Sequence, residues 1–213
     1  LNQWGVRNLS DLKWLDQPDK AVIDRAIDLL KSLEALNDNG ITAFGKKMAS
    51  LPMHPRLSHM VIKAEEIGHG TLALYIAALL EERDILSLKP DQRTADLRLR
   101  IEALNHIKKN EIIEGYFINR SKNDTLIEHL RLLLDSYSSI NPTSFKANIY
   151  LAEVFQRLDS LAKTQKHLIL ALNVDPNSYT TWEFLISIDL YLNDYQLMND
   201  HINEALELFP TQP

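Results

Sequence analysis

Hydrophobic positions in the first part of the chain recur with helical spacing between turn-forming segments. Apolar residues in the segment 22–36 return every three or four positions, which is typical of an amphipathic helix. The Asn-Asp-Asn-Gly sequence at 37–40 ends this pattern, and Thr42 is a good N-cap for a short helix that Pro52 stops. This order of helix, tight turn, short helix and extended segment is compatible with a small winged-helix unit.

Three more helices are predicted before the middle of the chain. Pro55 suits the first turn of one helix, which the Gly-His-Gly sequence at 68–70 closes. A strongly apolar helix is expected from Thr71 to about Leu86, and Thr94 is a suitable N-cap for the next helix. The first part is therefore expected to be helical, with at most a small β wing.

The second part of the chain contains an internal period of 34 residues. Pro142, Pro176 and Pro210 are spaced by this period, and Ala171 and Ala205 each lie five positions before a proline. The spacing predicts units that each contain a pair of helices, because proline ends one pair and starts the next. The predicted units are 111–144, which is degenerate, 145–178 and 179–212.

Composition separates the same two parts. Residues 1–118 hold 16 Lys+Arg, 17 Asp+Glu and all six glycines, whereas residues 119–213 hold 7 Lys+Arg, 12 Asp+Glu and no glycine. The second part therefore carries most of the net charge of −6. This charge argues against a protein wrapped broadly in nucleic acid but is compatible with a local basic patch. The absence of cysteine excludes disulfides, thiolate metal sites and a cysteine nucleophile.

No membrane segment or signal peptide is predicted. The apolar stretch 71–80 is interrupted by the charged residues 81–84, well short of the about 20 residues that a membrane span needs. The first residues include no initiator methionine, basic region or apolar core of a signal peptide. We therefore expect a fragment of a longer cytoplasmic protein.

A series of short motifs runs through residues 1–110. They are Trp4-Gly5-Val6, Trp14-Leu15-Asp16-x-Pro18, Gly40-x-Thr42-x-x-Gly45-x-x-Met48, Leu51-Pro52-x-His54-Pro55-Arg56-Leu57, Leu79-Leu80-Glu81-Glu82-Arg83-Asp84 and Asp96-Leu97-Arg98-x-Arg100. In their order and spacing they resemble the helicase-associated region of DEAH-box ATP-dependent helicases, and the last two motifs resemble the bacterial HrpB type.

The resemblance implies a noncatalytic accessory role for residues 1–110. In such helicases a winged helix and a ratchet-like helical bundle pack against a motor domain and help to enclose single-stranded nucleic acid. This chain contains no Gly-x-x-x-x-Gly-Lys-Ser/Thr sequence, which would cradle phosphate. We therefore expect no cofactor here, since ATP and Mg²⁺ would bind motor domains that are absent from the chain. Whether the protein acts as part of an enzyme stays open.

The 34-residue units resemble tetratricopeptide (TPR) repeats, which form an α-solenoid. Trp182-x-x-Leu185 matches the start of that pattern, and the alanine and proline pairs match its end. Asp189 stands where an aromatic residue is usual, so we expect helix crossings there to be looser or packed differently. The predicted domains are thus residues 1–110, the helicase-associated region, and 111–213, the TPR-like repeats.

Candidate site residues follow from these two resemblances. Cations that could contact nucleic-acid phosphates are Arg56, Lys46, Lys47, Lys63, Arg98 and Arg100. Residues predicted on the concave TPR face are Lys146, Ile149, Glu153, Gln156, Glu183 and Ser187. No metal site is predicted, because His54 and His59 would point to different helix faces.

Three hypotheses about function stay open. The first is a helicase accessory region whose partners are motor domains and single-stranded RNA or DNA. The second is a protein-interaction module that binds a protein or peptide through its TPR-like groove. The third is an artificial join of two unrelated coding fragments near residues 108–118, because TPR repeats are not expected at that point of a helicase.

Overall fold

The computed structural model describes residues 5–6, 12–87, 94–106, 117–118 and 120–211. These residues are mainly helical with little strand, which confirms the predicted all-α class with a small sheet. Contacts divide the chain into two compact units, Leu1–Ala73 and Leu74–Pro213. The predicted domain boundary at residue 110 and the motif residue Trp4 lie outside the described residues. No helix in the described ranges is long and apolar enough to cross a membrane.

The first unit combines helices with a two-stranded hairpin. Its elements are α1 (Lys20–Ser32), β1 (Leu36–Asn37), β2 (Gly40–Ile41), α2 (Ala43–Ala49) and α3 (Pro55–Glu66). The strands pair antiparallel, with Leu36 opposite Ile41. Helix α1 contacts β1, and α2 contacts α3. Helix α4 (Gly70–Glu81) begins in this unit and continues into the second.

Side-chain caps define where the helices of the first unit start. The carboxylate of Asp19 accepts a hydrogen bond from the backbone N–H of Ala21 at 2.9 Å, at the start of α1. Thr42 precedes α2 as its N-cap, and Pro55 is the first residue of α3. The predicted N-cap Thr42 and the predicted start of a helix at Pro55 are therefore both confirmed.

Helix α4 ends earlier than the sequence predicted. It stops at Glu81, and Leu86 is part of a strand instead of the same helix. Asp84 explains the break, because its Oδ1 accepts a hydrogen bond from the N–H of Leu86 at 3.1 Å. The same carboxylate also binds the guanidinium of Arg100. These contacts stabilise a turn in place of the last helical residues.

The second unit is built mainly from consecutive helices. After α4 its elements are β3 (Leu86–Ser87), α5 (Leu97–His106), β4 (Phe117–Ile118), α6 (Arg120–Ile140), α7 (Phe145–Arg157), α8 (Leu161–Val174), α9 (Tyr179–Leu192) and α10 (Tyr195–Leu208). Strands β3 and β4 pair antiparallel. The predicted N-cap Thr94 is wrong, because α5 begins at Leu97 and Asp96 is the residue before it. Oδ1 of Asp96 accepts a hydrogen bond from the N–H of Arg98 in the first turn at 2.9 Å, and the Thr94 hydroxyl instead accepts one from the N–H of Asp96 at 3.1 Å.

Helices α6 to α10 each contact the next helix along the chain. The predicted helix pairs are present in the unit 145–178, which contains α7 and α8, and in the unit 179–212, which contains α9 and α10. In the described residues of the predicted unit 111–144, the long helix α6 replaces the expected pair. The short connections between these helices make neighbours antiparallel. The central core joins the two pairs: buried members are Ala152, Leu168, Leu172, Trp182, Leu185, Ile188 and Ala205.

Candidate nucleic-acid interface

Gly40, Thr42 and Gly45 form one local structure at the entry to α2. Gly40 has a φ of 109°, a left-handed conformation that strongly favours glycine in the hairpin turn. The Thr42 hydroxyl donates to the carbonyl of Glu34 at 2.7 Å and accepts from the N–H of Gly45 at 2.8 Å. Gly45 lies against the backbone of Ala35, where a Cβ atom would overlap the carbonyl group. The motif therefore fixes α2 against the hairpin.

The motif around His54 starts the next helix. Nδ1 of His54 accepts a hydrogen bond from the backbone N–H of Arg56 at 3.3 Å, and Pro55 occupies the first helical position. The Arg56 side chain, in the first turn of α3, is exposed. His54 therefore positions the helix start that presents Arg56.

Two further candidate cations lie at the end of α2. Lys46 and Lys47 are in its last turn, and both are exposed. Helix α2 packs against α3, the helix that carries Arg56. The three exposed cations therefore lie on neighbouring helices of one unit. Among the described residues no acidic side chain forms a salt bridge with any of these cations.

Lys63 is engaged within the protein. Its ammonium lies 3.6 Å from the carboxylate of Glu34 and 3.4 Å from that of Glu66. It also lies 4.8 Å from the centre of the Phe44 ring, a cation–π contact. Lys63 therefore connects α3 to neighbouring parts of its unit.

The candidates on α5 differ from one another. Arg98 is exposed, and its guanidinium binds the carboxylate of Asp96 at 2.8 Å, which lowers the pKa of that carboxyl group. Arg100 is buried, with 8% of its surface exposed, and binds Asp84. Arg100 thus stabilises the turn after α4, whereas a contact with nucleic-acid phosphates would need an exposed guanidinium.

An apolar groove lies beside α1 in the first unit. Its volume is about 440 Å³, and Ile23, Ala26, Ile27 and Leu30 of α1 line one side. Leu36, Met48 and Leu51 are among the residues of the other elements that line it. Helix α1 has no buried residue, although its apolar face lies on this groove. The sequence predicted the apolar stripe of α1 but not that it stays partly uncovered.

The predicted concave-face residues lie on α7 and α9. Lys146 and Glu183 are exposed, whereas Ile149, Glu153, Gln156 and Ser187 are half-buried. Ile149 packs against the central core. Glu183 and Ser187 line a second groove, between α9 and α10, which brings these two candidates together.

Asp189 forms a buried polar network that sequence reasoning missed. It is fully buried, accepts a hydrogen bond from the Gln165 amide at 2.6 Å and lies 2.7 Å from Nδ1 of His201. The carboxylate thus connects α8, α9 and α10. The signal in the sequence was Asp189 itself, at a position where the repeat pattern usually has an aromatic residue. This departure predicted different packing but did not identify Gln165 and His201 as the partners.

Metal chemistry gains no support from the described part of the chain. No group of three or more His, Asp or Glu side chains there is arranged to hold a metal ion. His54, one of the histidines considered from sequence, acts instead as the cap of α3.

One family model matches a segment of the first unit. Residues 26–53 match the family described as Helicase associated domain (HA2), winged-helix. This range contains the hairpin and α2. The match supports a helicase-associated region.

Similar curated proteins are also helicases. The ATP-dependent RNA helicase HrpB of Escherichia coli (strain K12) is 40% identical over 82 residues, or 38% of this chain and 10% of HrpB. The pre-mRNA-splicing factor ATP-dependent RNA helicase prp22 of Schizosaccharomyces pombe is 29% identical, covering 61% of this chain and 12% of prp22. The probable ATP-dependent RNA helicase DHR2 of Saccharomyces cerevisiae is 31% identical, covering 57% and 18%.

The chain spans only 10 to 18% of the length of these relatives. A solved structure of a MamA mutant covers 70% of this chain at 15% identity, with a TM-score of 0.37. A TM-score this low carries no argument about the fold of the helix pairs.

Proposed function

We propose that this chain is a noncatalytic accessory region of an ATP-dependent RNA helicase and contributes contacts to single-stranded RNA and to the motor domains. The match of residues 26–53 to the helicase-associated family carries this proposal. The relatives' names support RNA over DNA as the nucleic acid.

The RNA contact in this proposal uses Lys46, Lys47 and Arg56. Arg56 lies in the first turn of α3, where a positive charge is unfavourable for the helix dipole, so its position is not explained by helix stability. The same helix end is the positive end of the helix dipole, which attracts anions. Together with the exposed lysines of α2, it forms a surface suited to phosphate.

Fluorescence anisotropy with a labelled single-stranded oligouridine tests this contact. The full chain is expected to bind, and its affinity is expected to fall with salt. Replacing Lys46, Lys47 and Arg56 together with alanine removes about three phosphate contacts, which at about −0.7 in the logarithmic salt slope per contact flattens the slope by about 2.

The matched control replaces Lys13, Lys20 and Arg25, three exposed cations elsewhere in the same unit, with alanine. This control changes the net charge equally and is expected to retain the original salt slope. If both triple variants weaken binding to the same extent, the attraction is nonspecific and the assigned surface is wrong. If the unmodified chain does not bind, the RNA proposal fails.

Docking on the motor domains is assigned to the groove beside α1. Ala26 is exposed and lines the groove, whereas Ala21 is exposed on the same helix but does not line it. We expect Ala26→Glu to weaken binding to the purified motor domains of E. coli HrpB at least tenfold, and Ala21→Glu less than twofold. Equal affinities for the two variants in isothermal titration calorimetry would reject this groove.

A second candidate function is protein binding through the TPR-like repeats. The observation that favours it is the agreement between the 34-residue period and the consecutive helix pairs α7–α8 and α9–α10. Lys146, Glu153 and Gln156 on α7 would contact a peptide. Proteins captured by the full chain from a lysate should be lost with Lys146→Glu combined with Gln156→Lys; unchanged capture contradicts this function.

A further inference from the structure

The last helix pair carries an apolar groove that no helix of the described chain fills. It has a volume of about 460 Å³ and runs between α9 and α10. Its lining includes Ile186, Leu190, Met198, Ile202, Leu206 and Phe209. Leu190 and Leu206 remain 52% and 49% exposed. Large apolar side chains are thus left in water along one face of the pair.

The internal period shows what shape of partner fits this face. In the preceding pair, Ile149 and Ala152 of α7 and Leu168 and Leu172 of α8 pack into the core with α9. Adding the period of 34 residues to each gives the equivalent positions of the last pair. These positions are Glu183, Ile186, Ile202 and Leu206, all of which line the groove. The groove is therefore equivalent to the surface of α7 and α8 against which α9 packs.

The side chains of α9 in the core indicate which side chains fit such a surface. It contributes Trp182, Leu185 and Ile188 to the core against α7 and α8. These residues are spaced by three positions and so lie along one side of a helix. A helix with a comparable apolar side would cover the exposed leucines of the groove.

The negative charge of the last helix pair favours a partner with basic residues. Lys166 is the last Lys or Arg of the sequence. The acidic residues that follow it are Asp175, Glu183, Asp189, Asp194, Asp200, Glu204 and Glu207. Glu183 lines the groove itself. A second copy docked by the same face would bring together two helix pairs that carry acidic residues and no Lys or Arg, which is unfavourable.

We propose that the α9–α10 groove binds an amphipathic helix of a partner protein that is apolar on one side and carries Lys or Arg along its edges. The apolar side replaces water on Ile186, Leu190 and Leu206. The basic edges are attracted by Glu183, which lines the groove, and by the negative charge of α9 and α10, which contain no Lys or Arg. This inference is independent of the RNA proposal. It uses a surface separate from the α7 residues that test the second candidate function.

A synthetic helical peptide tests the proposal on the full chain. The peptide carries Trp, Leu and Ile at the spacing found in α9, with lysine at its edges and alanine elsewhere. We expect saturable binding by fluorescence anisotropy and at least tenfold weaker binding of a peptide with glutamate in place of lysine. Leu206→Lys should weaken binding at least tenfold.

Leu208→Lys is the matched control. Leu208 lies on the same helix with 44% of its surface exposed but does not line the groove. It should change the affinity less than twofold, and circular dichroism should show both variants folded. Equal binding of the lysine and glutamate peptides, or equal effects of Leu206→Lys and Leu208→Lys, would overturn the proposal. A dimer in sedimentation that Leu206→Lys dissociates would identify a second copy as the occupant and also overturn it.

Discussion

The two compact units are stabilised in different ways. In the first, α1 has no buried residue, and the hairpin and α2 depend on the contacts of Gly40, Thr42 and Gly45. In the second, a single helix such as α7 buries six residues, and the core joins successive helix pairs. Caps and close backbone contacts are therefore prominent in the first unit, whereas side-chain packing between successive helices is prominent in the second.

This difference explains which part of the chain matches a known family. A structure fixed by caps and by glycine geometry requires particular residues at particular positions, so its motif is visible in the sequence. Helix pairs tolerate many apolar combinations if volume and pattern are kept. The family match accordingly falls on residues 26–53, around the glycine motif.

The largest effect is expected from Asp189→Ala in the second unit. The substitution leaves the Gln165 amide and the His201 ring without their buried acceptor. We expect it to lower the free energy of unfolding by about 3 kcal/mol in urea denaturation. Asp200→Ala, at an exposed position on α10, should cost less than about 0.5 kcal/mol. A similar loss of unfolding free energy in both variants would show that the Asp189 network contributes little to stability.

A slightly smaller effect is expected from Gly45→Ala in the first unit. The added methyl group would overlap the Ala35 carbonyl, so α2 must move, at a cost of about 2 kcal/mol. Hydrogen exchange should accelerate in α2 and α3 but not in α7 to α10. Lys46→Ala, one residue away and exposed, is the control and should leave exchange unchanged. Faster exchange throughout the chain would contradict the separation of the two modes of stabilisation.

Thr42→Val is expected to cost about 1 kcal/mol. It keeps the side-chain shape but removes the hydroxyl that accepts from Gly45 and donates to Glu34. Thr42→Ser restores the hydroxyl and should recover most of the loss in thermal denaturation. Equal melting temperatures for the valine and serine variants would mean that the cap is not important.

The smallest effect concerns pH and the second unit. Burial lowers the pKa of His167, whose Nδ1 lies 3.1 Å from Oδ1 of Asn148. The unfolded chain therefore binds the proton more tightly, and stability falls as pH drops through the unfolded value of about 6.5. His167→Gln should reduce this loss slightly between about pH 7.5 and 5.5. A stability curve of unchanged slope would exclude His167 as a contributor.

Sequence reasoning succeeded where the signal was local. It predicted the all-α class, the N-cap Thr42 and Pro55 at the start of α3. It did not predict that Asp84 ends α4, because the partner that holds this carboxylate, Arg100, lies 16 residues further along the chain.

The Asp189 network was missed for the same reason. Its three members lie on three different helices, and the pairing of Asp189 with Gln165 spans 24 residues. Periodicity indicates which positions face the core but not which polar side chains meet there. The exposure of the groove residues likewise depends on what packs against the last helix pair, which the pattern of that pair alone does not specify.

Crosslinking tests the central claim, that the helicase-associated region contacts RNA, most directly. The full chain is irradiated with a single-stranded RNA that contains 4-thiouridine, and the crosslinked peptides are identified by mass spectrometry. We expect crosslinks within residues 43–56, which carry Lys46, Lys47 and Arg56, and their loss in the triple alanine variant. Crosslinks confined to α7 through α10, or unchanged in that variant, would contradict it.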